Sequence, residues 1–308
     1  MKILITGGAG FIGSHLTDRI MVAGGQVRVL DNLSTGKLEN LPKDKKSFEF
    51  IRGDIQEWKT VSDCVRDMDA VVHLAAVASV QASIDQPMET HRTNFDGTLN
   101  LLEASRVHGV KRLLYASSAA IYGDTATVPV SEETAPNPLS PYAVDKLSGE
   151  YYLRYYFTRF GLPATSFRFF NIYGPRQDPS SPYSGVISIF VDRLKRNQPV
   201  TLFGDGSQTR DFVYVADLVD LLARAVRRTE GVGGVFNVGT GRRYSLLQLL
   251  SHLEKISGMK IDRRHEPARL GDIKDSCADV SRLKQVFGNA PAMRFDQGLK
   301  KLLESLSD

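Results

Sequence analysis

Ile3-Leu4-Ile5-Thr6-Gly7-Gly8-Ala9-Gly10-Phe11-Ile12-Gly13 decides how the chain folds. Residues 3–6 read as a buried strand, the glycines follow at once, and helix signals run from 15 to 22 before Gly24-Gly25. A second strand, 26–30, ends at Asp31. Gly7, Gly10 and Gly13 stand at three-residue steps, which permits a tight turn, close backbone approach to a pyrophosphate and close helix–strand packing. The helix start beyond them offers unpaired N–H groups and a positive dipole end to the same phosphates. Asp31 can accept hydrogen bonds from both adenosine ribose hydroxyls and would repel a 2′-phosphate. Asn32 follows and the next arginine is Arg52, so NAD is favoured over NADP. Arg28, inside the strand, reads as a structural or exposed residue.

The alternation continues. Residues 33–46 read as a polar surface loop and 48–52 as a third strand, closed by Gly53-Asp54-Ile55. Asp54 suits either the adenine amino group, with Ile55 packed on the ring, or a helix cap. A fourth strand, 69–74, leads to Ala75-Ala76, where backbone can lie against a ligand; His73 reads as a packed strand-end residue. Residues 87–107 read as one amphipathic helix stopped by Gly109, with Thr93 and Asn94 as mid-helix polar groups suited to capping nearby loop backbone. A fifth strand, 111–117, delivers Ser117-Ser118. Strand–helix alternation predicts a Rossmann-type α/β fold, a doubly wound parallel sheet with its ligands beyond the carboxyl ends of the strands.

Four prolines make 125–141 irregular, and the chain then enters a helix at Ser140-Pro141-Tyr142-Ala143-Val144-Asp145-Lys146. Tyr142 and Lys146, four residues apart, stack on one helix face. An ammonium beside a phenol favours phenolate, and a serine hydroxyl brought from elsewhere completes an acid/base site for a substrate hydroxyl. The pair alone also fits a solvated lysine beside a packed ring. Tyrosines 151, 152, 155 and 156 cover too much of this helix for solvent alone, which predicts core packing for some and a partner subunit for others. After a sixth strand, 162–170, the composition shifts to Gly, Pro and Ser. The expected division is a dinucleotide-binding domain, 1–172, and a smaller C-terminal α/β substrate lobe, 173–308, with possible crossing back. That lobe is expected to hold helices near 186–196, 215–228, 246–256 and 296–306 and strands near 200–203 and 235–238. Arg210 and Arg269, on two loops, can clamp a diphosphate or form surface ion pairs.

Bulk properties narrow the classes. The 308 residues carry a net charge of +4 without a basic block, which points away from nucleic acid and anionic membranes. Cys64 and Cys277 are far apart, and neither they nor the six histidines show metal-ligand spacing. No signal peptide or transmembrane run is visible, and a cytoplasmic enzyme is expected.

His73-Leu74-Ala75-Ala76, Ser117-Ser118-Ala119-Ala120-Ile121-Tyr122-Gly123, Tyr142…Lys146, Arg168-Phe169-Phe170-Asn171-Ile172-Tyr173-Gly174 and Thr209-Arg210-Asp211-Phe212 follow the glycine loop in order. With these motifs the chain resembles the extended short-chain dehydrogenases/reductases over essentially its whole length, and within them the UDP-hexose 4-epimerases. The resemblance implies Tyr142 as catalytic base, Lys146 as its pKa-lowering neighbour and nicotinamide-ribose ligand, and Ser118, rather than Ser117, as the hydroxyl bridging the sugar O4. It implies NAD against Phe11, Ile12, Asp31, Asn32, Asp54, Ile55, Leu74, Ala75, Ala76, Thr93 and Phe170, and the UDP group on Asn171, Arg210, Arg269 and Asp272. It further implies a homodimer through the helices at 87–107 and 142–159. Ala119-Ala120 stand where the related dehydratases and decarboxylases carry acids. Ser276 occupies a position said to gate sugar size, and a small residue there implies UDP-N-acetylglucosamine/UDP-N-acetylgalactosamine, with UDP-glucose/UDP-galactose as further substrates. A UDP-uronate 4-epimerase, another nucleotide-sugar enzyme on this scaffold, or a non-catalytic dinucleotide sensor are the alternatives.

Overall fold

Strands β1 (Lys2–Thr6), β2 (Gln26–Asp31), β3 (Phe48–Arg52), β4 (Ala70–His73), β5 (Arg112–Ser118) and β6 (Ala164–Phe169) form the first part of the chain. Between them run helices α1 (Phe11–Val22), α2 (Trp58–Val65), α3 (Val80–Asp85), α4 (Pro87–His91), α5 (Gly97–Val107) and α6 (Pro141–Phe160). Beyond lie β7 (Asn171–Tyr173), α7 (Val186–Lys195), β8 (Val200–Phe203), β9 (Thr209–Arg210), β10 (Phe212–Tyr214), α8 (Val215–Ala225) and β11 (Val235–Val238). The chain continues through β12 (Tyr244–Ser245), α9 (Leu246–Ser257), β13 (Arg263–Glu266), α10 (Ser281–Phe287) and α11 (Phe295–Glu304). This computed structural model describes residues 1–43, 46–179, 185–268 and 273–306.

The main sheet has seven strands in the order β11-β6-β5-β4-β1-β2-β3, all parallel. Both its faces are covered, which is why the inner strands β1 (Lys2–Thr6) and β4 (Ala70–His73) read as near-continuous apolar runs rather than alternating. Ile3, Ile5, Val29 and Val72 point to α1, α8 and α10; Leu4, Leu30, Val71 and Leu113 point to α2, α5 and α6. The chain leaves β1 for β2 and returns to the other side of β1 with β4. The sheet therefore has its topological switch between β1 and β4, where a crevice opens beyond the carboxyl ends.

A third cluster, built from α7, α9, α11, β8 and β10, is the core of the smaller lobe. Two elements expected there belong elsewhere. Helix α8 packs beside α1 in the sheet's own core, and β11 pairs with β6 as the seventh strand. The C-terminal end of α8 is tied down by Arg112, 3% exposed, whose guanidinium donates to Ala225 O (3.1 Å) and Thr165 Oγ1 (2.8 Å). Leu283 and Phe287 of α10 return to the same core. The chain thus crosses between the lobes several times, because apolar faces pair by shape and not by sequence order.

Three local features add to or correct the expectations. The helix expected at 87–107 runs unbroken, α4 passing into α5 through a π-helical turn, Arg92–Asp96. Its wider turn buries Asn94, whose side chain accepts from Val77 N (2.8 Å) and donates to Val77 O (3.1 Å). Part of the loop expected to carry Arg210 is β9, paired antiparallel with β12. Finally, β13 has four exposed polar residues, so nothing in its side chains signals a strand; parallel main-chain pairing to β8 makes it one.

Candidate active site

The glycine loop fits a dinucleotide for reasons of space. Gly7 has φ +70°, and a Cβ there would sit 2.7 Å from Ala75 N. A Cβ on Gly13 would sit 2.1 Å from Gly7 O. These contacts let β1, the start of α1 and the segment after β4 approach closely, as a backbone cradle for a pyrophosphate requires. Gly10 caps α1 without a side chain, so the first-turn N–H groups of Phe11 and Ile12 face outward from the helix start. Beyond β4, Leu74 N donates to Thr6 O (3.1 Å) and Ala75 N to Thr6 Oγ1 (3.3 Å), which pins this backbone beside the loop.

At the adenosine end, Asp31 already accepts one N–H on each oxygen, from Ala9 (2.9 Å) and Leu33 (2.8 Å). A carboxylate has about four acceptor sites, so ribose hydroxyls can still be accepted. Asn32 Nδ2 donates to Asp54 Oδ2 (2.9 Å), and Asp54 Oδ1 accepts from Gln56 N (2.9 Å), so Asp54 ties the turn before α2. The expected stacking of Ile55 on adenine is corrected. Its side chain is 5% exposed and fills the space left by the missing Cβ of Gly97. Thr93 Oγ1, in the π turn, accepts from Gln56 Nε2 (3.0 Å), which brings it to the Asp54–Ile55 segment. Phe170 is buried with Ile121, Tyr122 and Val130.

The acid/base groups converge as the sequence predicts. Ser118 ends β5 and its Oγ accepts from Ala120 N (3.1 Å). Ser140 caps α6 by accepting from Ala143 N (3.2 Å), and Pro141 occupies the first helical turn, which fixes where Tyr142 emerges. The Tyr142 hydroxyl lies near the Ser118 side chain. Lys146, 3% exposed, donates from Nζ to Ala116 O (2.9 Å) and lies 5.9 Å from the Tyr142 ring centre.

The expected lowering of the Tyr142 phenol is corrected. Burial pushes it up, and the Ser118 side chain opposes that rise. Lys146 is instead the group pulled down, to about 8, by burial, with the neighbouring Asp145 carboxylate opposing. Asp145 is itself held by His91 Nδ1 at 2.6 Å. His73 lies between the Thr6 and Thr98 hydroxyls (2.7 and 2.9 Å), and burial takes it down to about 3, so it stays neutral and packed.

Ser117 has a different task from Ser118. Its Oγ donates to Glu150 Oε1, and Glu150 pairs with Arg168 at 2.7 Å, both side chains buried. Arg168 also donates to the Tyr122 hydroxyl (2.8 Å), which donates to Asn237 Oδ1 (2.7 Å). This network fastens α6 to β5, β6 and β11. Of its charged members, Arg168 stands in a motif quoted above, whereas Glu150 stands in none and only its burial reveals it; Asn94 caps loop backbone at Val77, as its mid-helix place implies.

On the substrate side, Asn171 N donates to Asp211 O (3.0 Å), and Arg210 Nη1 donates to Thr209 O (2.8 Å). Ser276 N donates to Thr209 O (3.1 Å), which places Ser276 alongside β9. Asn171, Arg210 and Ser276 are therefore brought together. Arg269 and Asp272 lie outside the described residues.

This geometry agrees with comparisons to known proteins. The model of the NAD-dependent epimerase/dehydratase family matches residues 3–239. The chain belongs to this family. NAD is its cofactor, and the glycine cradle fits it. The chain is 39% identical over 308 residues to the UDP-glucose 4-epimerase of Mycolicibacterium smegmatis, covering 99% of this chain and 98% of that one. The solved UDP-glucose 4-epimerase of Thermotoga maritima, with UDP-glucose, superposes with a TM-score of 0.95 at 40% identity, covering 100% and 99% of the two chains. The UDP-N-acetylglucosamine 4-epimerase of Methanobrevibacter ruminantium, in complex with UDP-N-acetylmuramic acid, gives 0.95 at 33% identity, covering 99% and 98%. Among the described residues, no helix is long and apolar enough to cross a membrane.

Proposed function

We propose that this NAD-dependent UDP-sugar 4-epimerase interconverts UDP-N-acetylglucosamine and UDP-N-acetylgalactosamine, and accepts UDP-glucose and UDP-galactose as well. The supporting observation is Ser276, a small, half-buried residue next to β9 and Arg210. A tyrosine in that place would fill the room an acetamido group needs.

Ser118 and Tyr142, near each other, receive the sugar O4 and remove its proton. NAD+, when bound on the glycine cradle, would supply a reversible acceptor for the hydride from C4. Loss of H+ and H− leaves a flat 4-keto sugar, which turns over in the site. Tyr142 then gives the proton back to O4 as the opposite face of C4 is reduced, so the sugar is inverted and the redox balance closes. Lys146, as a cation, stabilises the phenolate while it exists. Ala119 and Ala120 occupy the turn after Ser118 and offer no carboxylate for eliminating water.

Incubation with each UDP-sugar and separation of the C4 epimers tests the assignment. Ser276→Tyr is expected to lose activity on the acetamido sugars at least ~10-fold relative to the plain hexoses, the equivalent of about 1.4 kcal/mol of overpacking. Equal loss on both classes removes Ser276 as the gate.

The proposal extends to assembly as a homodimer, working in the cytoplasm, where unpaired thiols such as the buried Cys64 and Cys277 persist. Met88 (68% exposed), Tyr151 (59%) and Tyr155 (52%) stand on α4 and α6, with Ile84 of α3 and Val144 of α6 also exposed, whereas Tyr156 is buried against the core. An apolar face of this extent fits a second copy. Tyr151→Glu combined with Met88→Glu is expected to convert a dimer to a monomer in sedimentation; a monomeric wild type refutes the assembly.

A further inference from the structure

The smaller lobe contains a fully buried carboxylate that the chemistry above does not use. Asp211, between β9 and β10, has no exposed surface. Its Oδ1 accepts from Thr240 N (2.8 Å) and Thr240 Oγ1 (2.6 Å); its Oδ2 accepts from Gly241 N (3.0 Å) and Ala278 N (3.1 Å). Its carbonyl oxygen accepts from Asn171 N (3.0 Å) and, at the limit, Asn171 Nδ2 (3.4 Å). The junction is tight. A Cβ on Gly239 would lie 2.4 Å from Ala278 Cβ and 2.6 Å from Asp211 Oδ2.

Four separate segments meet on this one residue: the exit of β6 at Asn171, β9 with Arg210, the turn after β11, and the stretch that carries Ser276. Three of them bear residues assigned to the nucleotide-sugar. None of the four bears Ser118, Tyr142 or Lys146, which are held by β5, α6 and the Glu150–Arg168 pair. The carboxylate is satisfied by neutral donors arranged around both oxygens, an arrangement an amide cannot reproduce because its nitrogen accepts nothing.

We propose that Asp211 is the positioning residue of the uridine-diphosphate end of the site: it holds Asn171, Arg210 and Ser276 in one register, and nucleotide affinity depends on it while the proton and hydride steps do not. The inference rests on the UDP-sugar reading above. Asp211→Asn turns two of the four donors towards an NH2 group, and buried donors left without acceptors disturb all the segments they belong to.

The experiment measures UDP binding by calorimetry, co-purified NAD content, and KM and kcat for UDP-glucose and UDP-N-acetylglucosamine. Asp211→Asn is expected to raise the UDP Kd and both KM values at least ~10-fold, with kcat changed less than ~3-fold and NAD content unchanged. Thr240→Val deletes one donor and keeps the shape, and is expected to raise the UDP Kd about 3-fold; it decides the matter if Asp211→Asn does not fold. A UDP Kd within twofold of wild type in the folded variants overturns the proposal, as does a fall in kcat and NAD content with unchanged UDP affinity. A wild type that binds UDP but epimerises neither sugar class would instead refute the function, and the two failures are distinguishable.

Discussion

Tyr142→Phe is expected to leave the protein folded and loaded with NAD, to keep UDP binding within a few-fold of wild type, and to lower kcat by about 10²–10⁴, the range of a positioned general acid–base group. The hydroxyl is the atom near Ser118, and α6 and its Ser140 cap hold the ring whether or not the oxygen is present. Phenylalanine keeps the ring's packing and removes only the group that exchanges a proton with O4. Because burial raises the phenol, the resting residue is protonated at neutral pH, and forming phenolate depends on positive charge gathered around it. Steady-state turnover on both sugar classes, beside calorimetry with UDP, checks this. Turnover near the wild-type value would remove Tyr142 from the chemistry.

Lys146→Met is expected to separate stability from activity. The ammonium is almost fully buried and held at about 8 against an ordinary 10.5. A shift of this size corresponds to a folding cost on the order of 3 kcal/mol. Burial of the cation is the cause, so the cost is present in full below pH 8 and is relieved as pH rises from about 8 towards 10.5. Methionine fits the same stem, removes that cost and leaves Ala116 O without its donor, a loss of about 1–3 kcal/mol. The variant should therefore be no less heat-stable than wild type at pH 7, and any advantage should shrink by pH 10. Turnover should nevertheless fall at least ~100-fold, because the cation beside the phenolate is gone. In wild type the same titration predicts an alkaline limb in turnover near pH 8 that is missing from the residual activity of Lys146→Met. Thermal unfolding at both pH values and the pH–rate profile check it; a strongly destabilised variant at pH 7 would assign Lys146 to structure instead.

The buried network around Glu150 explains why these two substitutions can be read cleanly. Glu150 lies one helical turn beyond Lys146 on α6 and is anchored to Arg168 of β6 and Ser117 of β5. Breaking such a pair by removing one partner would leave an uncompensated buried charge. The catalytic residues lie outside it, and their replacement leaves the helix where it is.

Much of this protein is legible in its residues by themselves, for physical reasons. The glycine spacing, the strand before it and Asp31 after the next strand are local signals, because each glycine answers to a contact a Cβ would block. Tyr142 and Lys146 are four apart on a helix whose start is written as Ser140-Pro141, so their common face follows from helix geometry. Ser118 ends an apolar run that could only be an interior strand. Tertiary structure decided the rest. That α8 and β11 belong to the main sheet follows from which apolar faces fit, and chain order carries no such information. That Ile55 turns into the core, that Asn94 sits in a π turn to hold Val77, and that Asp211 joins β9 to three segments distant in sequence are outcomes of packing between residues far apart in the chain. The direction of the two pKa shifts belongs to the same class. Spacing places an amine beside a phenol, but burial, which only the folded chain determines, decides that the lysine falls and the tyrosine rises.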